Sequence, residues 1–130
     1  MNKICEYCGQ DSVVVTGLKI YPHRPDLKHL MFYYCDYNHK PAYVGCHKGS
    51  IKPLGRLANA ELRGFKSAAH QSFDPLWKIH KIFKSRGKAY NWLASSLNIK
   101  GEEAHIGMFD VDMCKKVIAI CSDKLERSFL

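Results

Sequence analysis

The chain has 130 residues, of which 20 are Lys or Arg and 12 are Asp or Glu, so its formal net charge is +8. Hydrophobic residues make up 46% of the chain and aromatic residues 12%, which excludes a disordered or low-complexity protein. No apolar run reaches the ~18 residues of a membrane span, and the N-terminal residues do not resemble a secretory signal. We therefore expect a cytoplasmic protein without a membrane partner.

Hydrophobic spacing predicts β-structure first and helices afterwards. Apolar and aromatic residues between turn-forming Pro, Asp and Asn predict three short strands, at 13–21, 30–34 and 42–46. Helical spacing then predicts about four helices, at 56–71, 75–84, 85–97 and 111–122. Asp74 and Asp110 precede the second and the last of these helices, Ser85 begins the third, and all three are predicted N-caps.

This order of elements predicts an α+β protein. Residues 1–47 contain four of the six cysteines and are expected to form a zinc-ribbon-like module of three strands, and residues 48–130 are expected to form a basic helical module. The two modules are expected to pack together and share one core.

The first two cysteines form a C-x-x-C-G turn, Cys5-Glu6-Tyr7-Cys8-Gly9. Thiolates two residues apart can face one metal ion, and Gly9 allows the backbone to turn beneath them. Cys35, at the end of the second predicted strand, is the predicted third ligand.

The fourth ligand is less constrained by the sequence. His39 follows Cys35 with C-x3-H spacing, which is typical of the second half of a zinc site. Cys46 and His47 are the alternative candidates. Four protein ligands leave no open position, so the sequence predicts one structural Zn²⁺. Cys114 and Cys121 share a face of the last predicted helix and are expected in the core.

Several blocks of the sequence resemble a family of small phage and prophage proteins, described as a zinc-finger-containing domain with no assigned activity. They are the C-x-x-C-G turn, a Tyr-rich strand ending in Cys35, the blocks at 42–47, 52–63, 69–70, 73–77, 89–94 and 105–110, and the two residues Cys114 and Val117. The resemblance implies a zinc site and a phage or prophage origin. In that family the second half of the zinc site is usually a second C-x-x-C, followed by Asp-Ala-Tyr-Val-Gly. Here the corresponding segment, which begins at Cys35, is two residues longer.

The positive charge is concentrated in the middle third. Residues 48–88 contain ten basic residues and two acidic ones, whereas the flanking thirds are close to neutral. We predict that this region contacts the phosphates of DNA or RNA. The candidate contacts are Lys48, Lys52, Arg56, Arg63, Lys66, Lys78, Lys81, Lys84, Arg86 and Lys88.

Two other functions stay open at the level of sequence. One is binding of a host protein, such as a defence or transcription component, through the same surface or the ribbon. The other is a metal-independent nuclease or nucleotide-acting enzyme that uses His47 and His70. Asp74 follows His70 at helical i, i+4 spacing and is the third weak catalytic candidate, although its predicted capping role argues against that pairing.

Overall fold

The computed structural model of the protein describes residues 3–36 and 41–129. The chain folds into two compact units, Met1–Glu61 and Leu62–Leu130. The first unit contains the sheet, and nearly all of the helical structure lies in the second, so the predicted α+β class is confirmed. The boundary after residue 47 and the shared core stay predictions.

The first unit is built on a three-stranded antiparallel sheet. Its strands are β1 (Val13–Thr16), β2 (Met31–Cys35) and β3 (Ala42–Gly45), in the order β1-β2-β3. In the register of β2 and β3, Tyr33 lies opposite Val44 and Cys35 lies opposite Ala42. Because side chains alternate along a strand, these four residues share one face. They are buried there with Cys5 and Leu57.

The first strand is shorter than the predicted 13–21. After Thr16 the chain leaves the sheet and forms the short helix α1 (Gly17–Ile20). The first residue of this helix lies close to the backbone of residues 27–30. The Gly17 amide donates to the carbonyl of Leu30 at 2.9 Å. A Cβ at Gly17 would lie 2.0 Å from the carbonyl oxygen of Leu27, so only glycine fits at this position.

The main helices are α2 (Ala60–Phe73), α3 (Pro75–Lys78), α4 (Arg86–Leu97) and α5 (Val111–Ser128). Two predicted caps are confirmed: Ser85 Oγ accepts from the Lys88 amide at 3.2 Å, and Asp110 Oδ1 accepts from the Met113 amide at 2.9 Å. Helix α5 continues past the predicted end at residue 122.

The predicted start of the first main helix, at residue 56, is wrong. Ala58 forms a β-bridge with Tyr43, in which each amide donates to the other residue's carbonyl, at 3.0 and 3.1 Å. Because the backbone is extended at Ala58, helix α2 begins only at Ala60. Arg56 therefore does not share a helical stripe with Arg63 and Lys66.

The predicted helix 75–84 begins at Pro75 as expected, but its predicted end is wrong. Helix α3 ends at Lys78, and Lys81 has a left-handed φ of 52° that no right-handed helix contains. The amides of Ile82 and Phe83 turn back to the carbonyl of Leu76. Lys78, Lys81 and Lys84 consequently form no helical stripe.

Asp74 does not cap α3. Its backbone is helical, with φ −59° and ψ −39°, and its side chain accepts no capping hydrogen bond. The Asp74 amide donates to the carbonyl of His70 at 2.8 Å, as in a continuing helix. The chain thus runs from α2 into α3 with helical geometry through Asp74.

The core of the second unit is apolar. The buried side chains include Leu62, Ala69, Phe73, Leu76, Ala89, Leu93, Ala94, Ala104, Ile106, Phe109, Cys114, Val117 and Cys121. The prediction that Cys114 and Cys121 are core residues is confirmed. Burial raises the pKa of the Cys121 thiol to about 12, so it stays protonated and unreactive at neutral pH. Within 3–36 and 41–129, no helix is both long and apolar enough to traverse a bilayer.

Candidate metal centre

The C-x-x-C-G turn is held by backbone hydrogen bonds. The Cys5 amide donates to the carbonyl of Gln10 at 2.8 Å, and the Gly9 amide donates to the carbonyl of Cys5 at 2.9 Å. Gly9 has a φ of +75°, a conformation that glycine adopts without strain. The turn therefore presents the Cys5 and Cys8 thiols from one hydrogen-bonded loop.

Cys35 brings a third thiol to this turn from the end of β2. The Sγ atoms of Cys5, Cys8 and Cys35 all lie within 4.8 Å of one another, and those of Cys8 and Cys35 are 3.6 Å apart. Sulfurs bound to one tetrahedral zinc at about 2.3 Å lie about 3.8 Å from each other. The three predicted cysteine ligands are brought together with a spacing that fits Zn²⁺.

The burial of the cluster also suits a structural metal. Cys5 is fully buried, Cys35 is 6% exposed and Cys8 is half-buried. Three thiolates without a bound cation would repel one another in this setting, whereas Zn²⁺ neutralises them. The donor set and its geometry therefore fit zinc.

The structure separates the candidates for the fourth ligand. His39 lies in 37–40, outside the described residues, so it stays a prediction. Cys46 and His47 are described and are not members of the cluster. Cys35 pairs with Ala42, and Cys46 lies four residues farther along, about 13 Å at the rise of a strand. Burial raises the pKa of the Cys46 thiol, which opposes formation of a thiolate ligand.

The two residues between Cys5 and Cys8 fasten a distant part of the first unit. Glu6 Oε1 accepts from the amide of Leu57 at 3.0 Å, and the Tyr7 hydroxyl accepts from the amide of Asn59 at 3.1 Å. The Arg56 guanidinium lies over the Tyr7 ring, 5.4 Å from its centroid. The sequence analysis missed these roles, because no local spacing links residues about fifty positions apart.

The comparisons with known proteins identify the family. The profile of a zinc-finger-containing domain matches residues 1–124. The chain belongs to this family. The zinc-finger-containing domain spans both compact units and includes the Cys5, Cys8 and Cys35 cluster. No curated protein and no solved structure matches the chain.

The predicted basic residues of this zinc-finger-containing domain are spread over both units. Lys48, Lys52 and Arg56 belong to the first unit, and the other seven belong to the second. Arg63 and Lys66 are half-buried on α2, whereas Lys78, Lys81 and Lys84 are exposed. Arg86 and Lys88 lie in the first turn of α4.

The weak catalytic candidates are also divided between the units. His47 is exposed in a loop of the first unit, where its amide donates to the carbonyl of Lys52 at 2.8 Å. In the second unit, His70 Nδ1 lies 3.8 Å from Asp74 Oδ1, because the helical backbone through Asp74 puts both on one face. The predicted capping role of Asp74 argued against this pairing, and the structure contains it.

Proposed function

We propose that this zinc-stabilised protein binds nucleic acid through the basic residues of 48–88. The observation that carries the proposal is the segment 75–88, which contains five Lys or Arg and no Asp or Glu. All five side chains belong to exposed residues: Lys78, Lys81, Lys84, Arg86 and Lys88. None of them forms a salt bridge within the part of the chain that the structure describes.

An unbalanced run of exposed cations favours a polyanionic partner. Like charges close together repel, and this repulsion opposes the compact state. A phosphate backbone relieves that repulsion, and the release of its condensed counterions drives binding. The first unit offers a second basic stretch, since residues 48–60 contain Lys48, Lys52 and Arg56 and no acidic residue.

The zinc in this proposal is structural. Three cysteines and a fourth protein ligand close the coordination shell and leave no position for a substrate. A zinc site of this kind needs reduced cysteines, and the cytoplasm keeps cysteines reduced. The resemblance to phage and prophage proteins supports a phage-encoded protein acting in the host cytoplasm.

The test is fluorescence anisotropy with labelled single-stranded DNA, duplex DNA and RNA, titrated with salt. Each phosphate contact contributes about 0.9 to the salt slope on a duplex, or about a 3.5-fold loss of affinity between 50 and 200 mM salt. We expect Lys78→Glu with Lys81→Glu to reduce that slope by about 1.8 and to weaken binding at low salt.

The matched control is Lys100→Glu with Lys116→Glu, which changes the net charge equally at two exposed positions outside 48–88. An equal loss of affinity in both double variants would indicate a general charge effect and move the surface elsewhere. No binding of any nucleic acid at low salt would refute the proposal. Host-protein binding would then become the leading alternative.

A second candidate function is a metal-independent activity on nucleic acid or nucleotides. The observation that favours it is the His70–Asp74 pair, which lines a cleft of about 350 Å³ together with Lys78. A carboxylate beside an imidazole can orient it as a general base. Turnover that is lost in His70→Ala but kept in His80→Ala would support this activity. His47→Ala tests the other predicted histidine.

A further inference from the structure

A cavity of about 440 Å³ opens in the first unit, lined by residues 29–31 and 46–51. Its strand residue, Met31, lies at the opposite end of β2 from Cys35, about 13 Å away along the strand. The cavity is thus separate from the metal centre. Its size is in the range of sites for small organic ligands.

The walls of the cavity combine an apolar body with positively charged or proton-donating groups. Leu30, Met31 and Ile51 supply apolar surface, and His29, His47 and Lys48 supply N–H donors. No Asp or Glu lines it among the residues that the structure describes. The cavity therefore favours a ligand with an apolar part and an anionic group.

Cys46 adds no negative charge to this environment. It is half-buried in the cavity wall, and burial raises the pKa of its thiol, so the group is uncharged at neutral pH. The thiol and the Met31 thioether are both polarisable. Such sulfur atoms pack favourably against the edge of an aromatic ring.

The loop that closes one side of the cavity is held in place. The Tyr33 hydroxyl donates to the carbonyl of Ile51 at 2.7 Å, and the Ser50 amide donates to the carbonyl of His47 at 3.1 Å. Gly49 has a φ of +75°, which lets the loop turn tightly between Lys48 and Ser50. The cavity is therefore a preformed feature of the loop, and a ligand would not have to order it.

We propose that this cavity binds one nucleoside monophosphate, with the base on the apolar wall and the phosphate beside Lys48 and the two histidines. Inorganic phosphate would leave most of the apolar surface uncovered. The choice of a nucleotide, rather than another phosphate ester with an apolar body, rests on the proposed function. The bound nucleotide is either a free nucleotide or one nucleotide of a single-stranded nucleic acid, and the experiment below distinguishes these two ligands.

The test is titration of the zinc-loaded full chain with adenosine 5′-monophosphate, adenosine and inorganic phosphate, followed by NMR chemical shifts and calorimetry. We expect the monophosphate to bind at least tenfold more tightly than either fragment, with shifts at Met31, Cys46 and Ile51. Lys48→Ala and His29→Ala are each expected to weaken it about fivefold or more. Lys28→Ala is the matched control, because Lys28 is exposed beside His29 but does not line the cavity.

A monophosphate that binds no better than phosphate would overturn the proposal. So would cavity variants that bind it as well as the unmodified chain does. Displacement of a labelled single strand by the monophosphate identifies a strand nucleotide as the ligand, and binding without displacement identifies a free nucleotide. Duplex binding in the same preparation reports on the exposed cations of 75–88, none of which lines the cavity, so the cavity and the proposed function can fail separately.

Discussion

The contact between Glu6 and Leu57 gives a quantitative test of the metal turn's wider role. The Glu6 carboxylate accepts the Leu57 amide at 3.0 Å, and its other oxygen pairs with Lys3 at 2.5 Å. Leu57 is fully buried, so Glu6→Ala leaves its amide without this acceptor. A hydrogen bond to a charged group contributes about 1.5–3 kcal/mol. The partly exposed ion pair adds at most about 1 kcal/mol.

We therefore expect Glu6→Ala to lower the free energy of unfolding of the first unit by about 2–3 kcal/mol. Glu6→Gln keeps an acceptor oxygen and is expected to lose about half of that. The assay is zinc release to a chromophoric chelator in increasing urea, which follows the first unit. Both tryptophans, Trp77 and Trp92, lie in the second unit, so their emission follows that unit independently.

The control is Glu126→Ala, which removes an exposed carboxylate from α5 and is expected to leave zinc release unchanged. If Glu6→Ala released zinc at the same urea concentration as the unmodified chain, the carboxylate would not be stabilising the segment at Leu57. The reasoning from the contact would then be wrong. An equal loss in Glu6→Ala and Glu6→Gln would instead assign the effect to charge.

Two further predictions concern the metal and a close backbone approach. Cys8→Ser is expected to release zinc and unfold the sheet of the first unit, measured by metal analysis and circular dichroism; a variant that kept both would eliminate the site. Gly17→Ala is expected to cost about 1–3 kcal/mol in urea unfolding, because its Cβ would collide with the Leu27 carbonyl. Gly64→Ala, on α2 with open space around its Cβ, is the matched control and is expected to stabilise by about 0.5–1 kcal/mol. Equal effects of the two glycine substitutions would contradict the steric argument.

The features that the sequence predicted correctly depend on nearby residues. Ser85 and Asp110 cap their helices through an amide three residues away, so local composition is sufficient. The pairing of Cys5 and Cys8 likewise follows from their spacing. Cys35 was identifiable because it ends a strand, where a side chain can reach a turn placed beside the sheet.

The features that the sequence did not predict depend on tertiary contacts. The apolar residues of 75–84 have helical spacing, yet Ile79 is 68% exposed and Phe83 packs on Trp92 of α4, with ring centroids 5.1 Å apart. Helical spacing placed Arg56 at the start of a helix, but Ala58, two residues later, pairs with Tyr43, which is distant in sequence. Propensity favoured helix in both places, and long-range pairing or packing outweighed it.

The hydrogen bonds of Glu6 and Tyr7 also bear on the order in which the chain folds. They join residues 51 and 52 positions apart. Closing so long a loop reduces the entropy of the chain before the contact can stabilise it. During synthesis, the cysteine turn emerges before the sheet, whereas its partners at Leu57 and Asn59 emerge after the sheet. The turn can therefore make these two hydrogen bonds only after the last residues of its own unit have been synthesised. Zinc bound before then would keep the turn in the conformation that these residues contact.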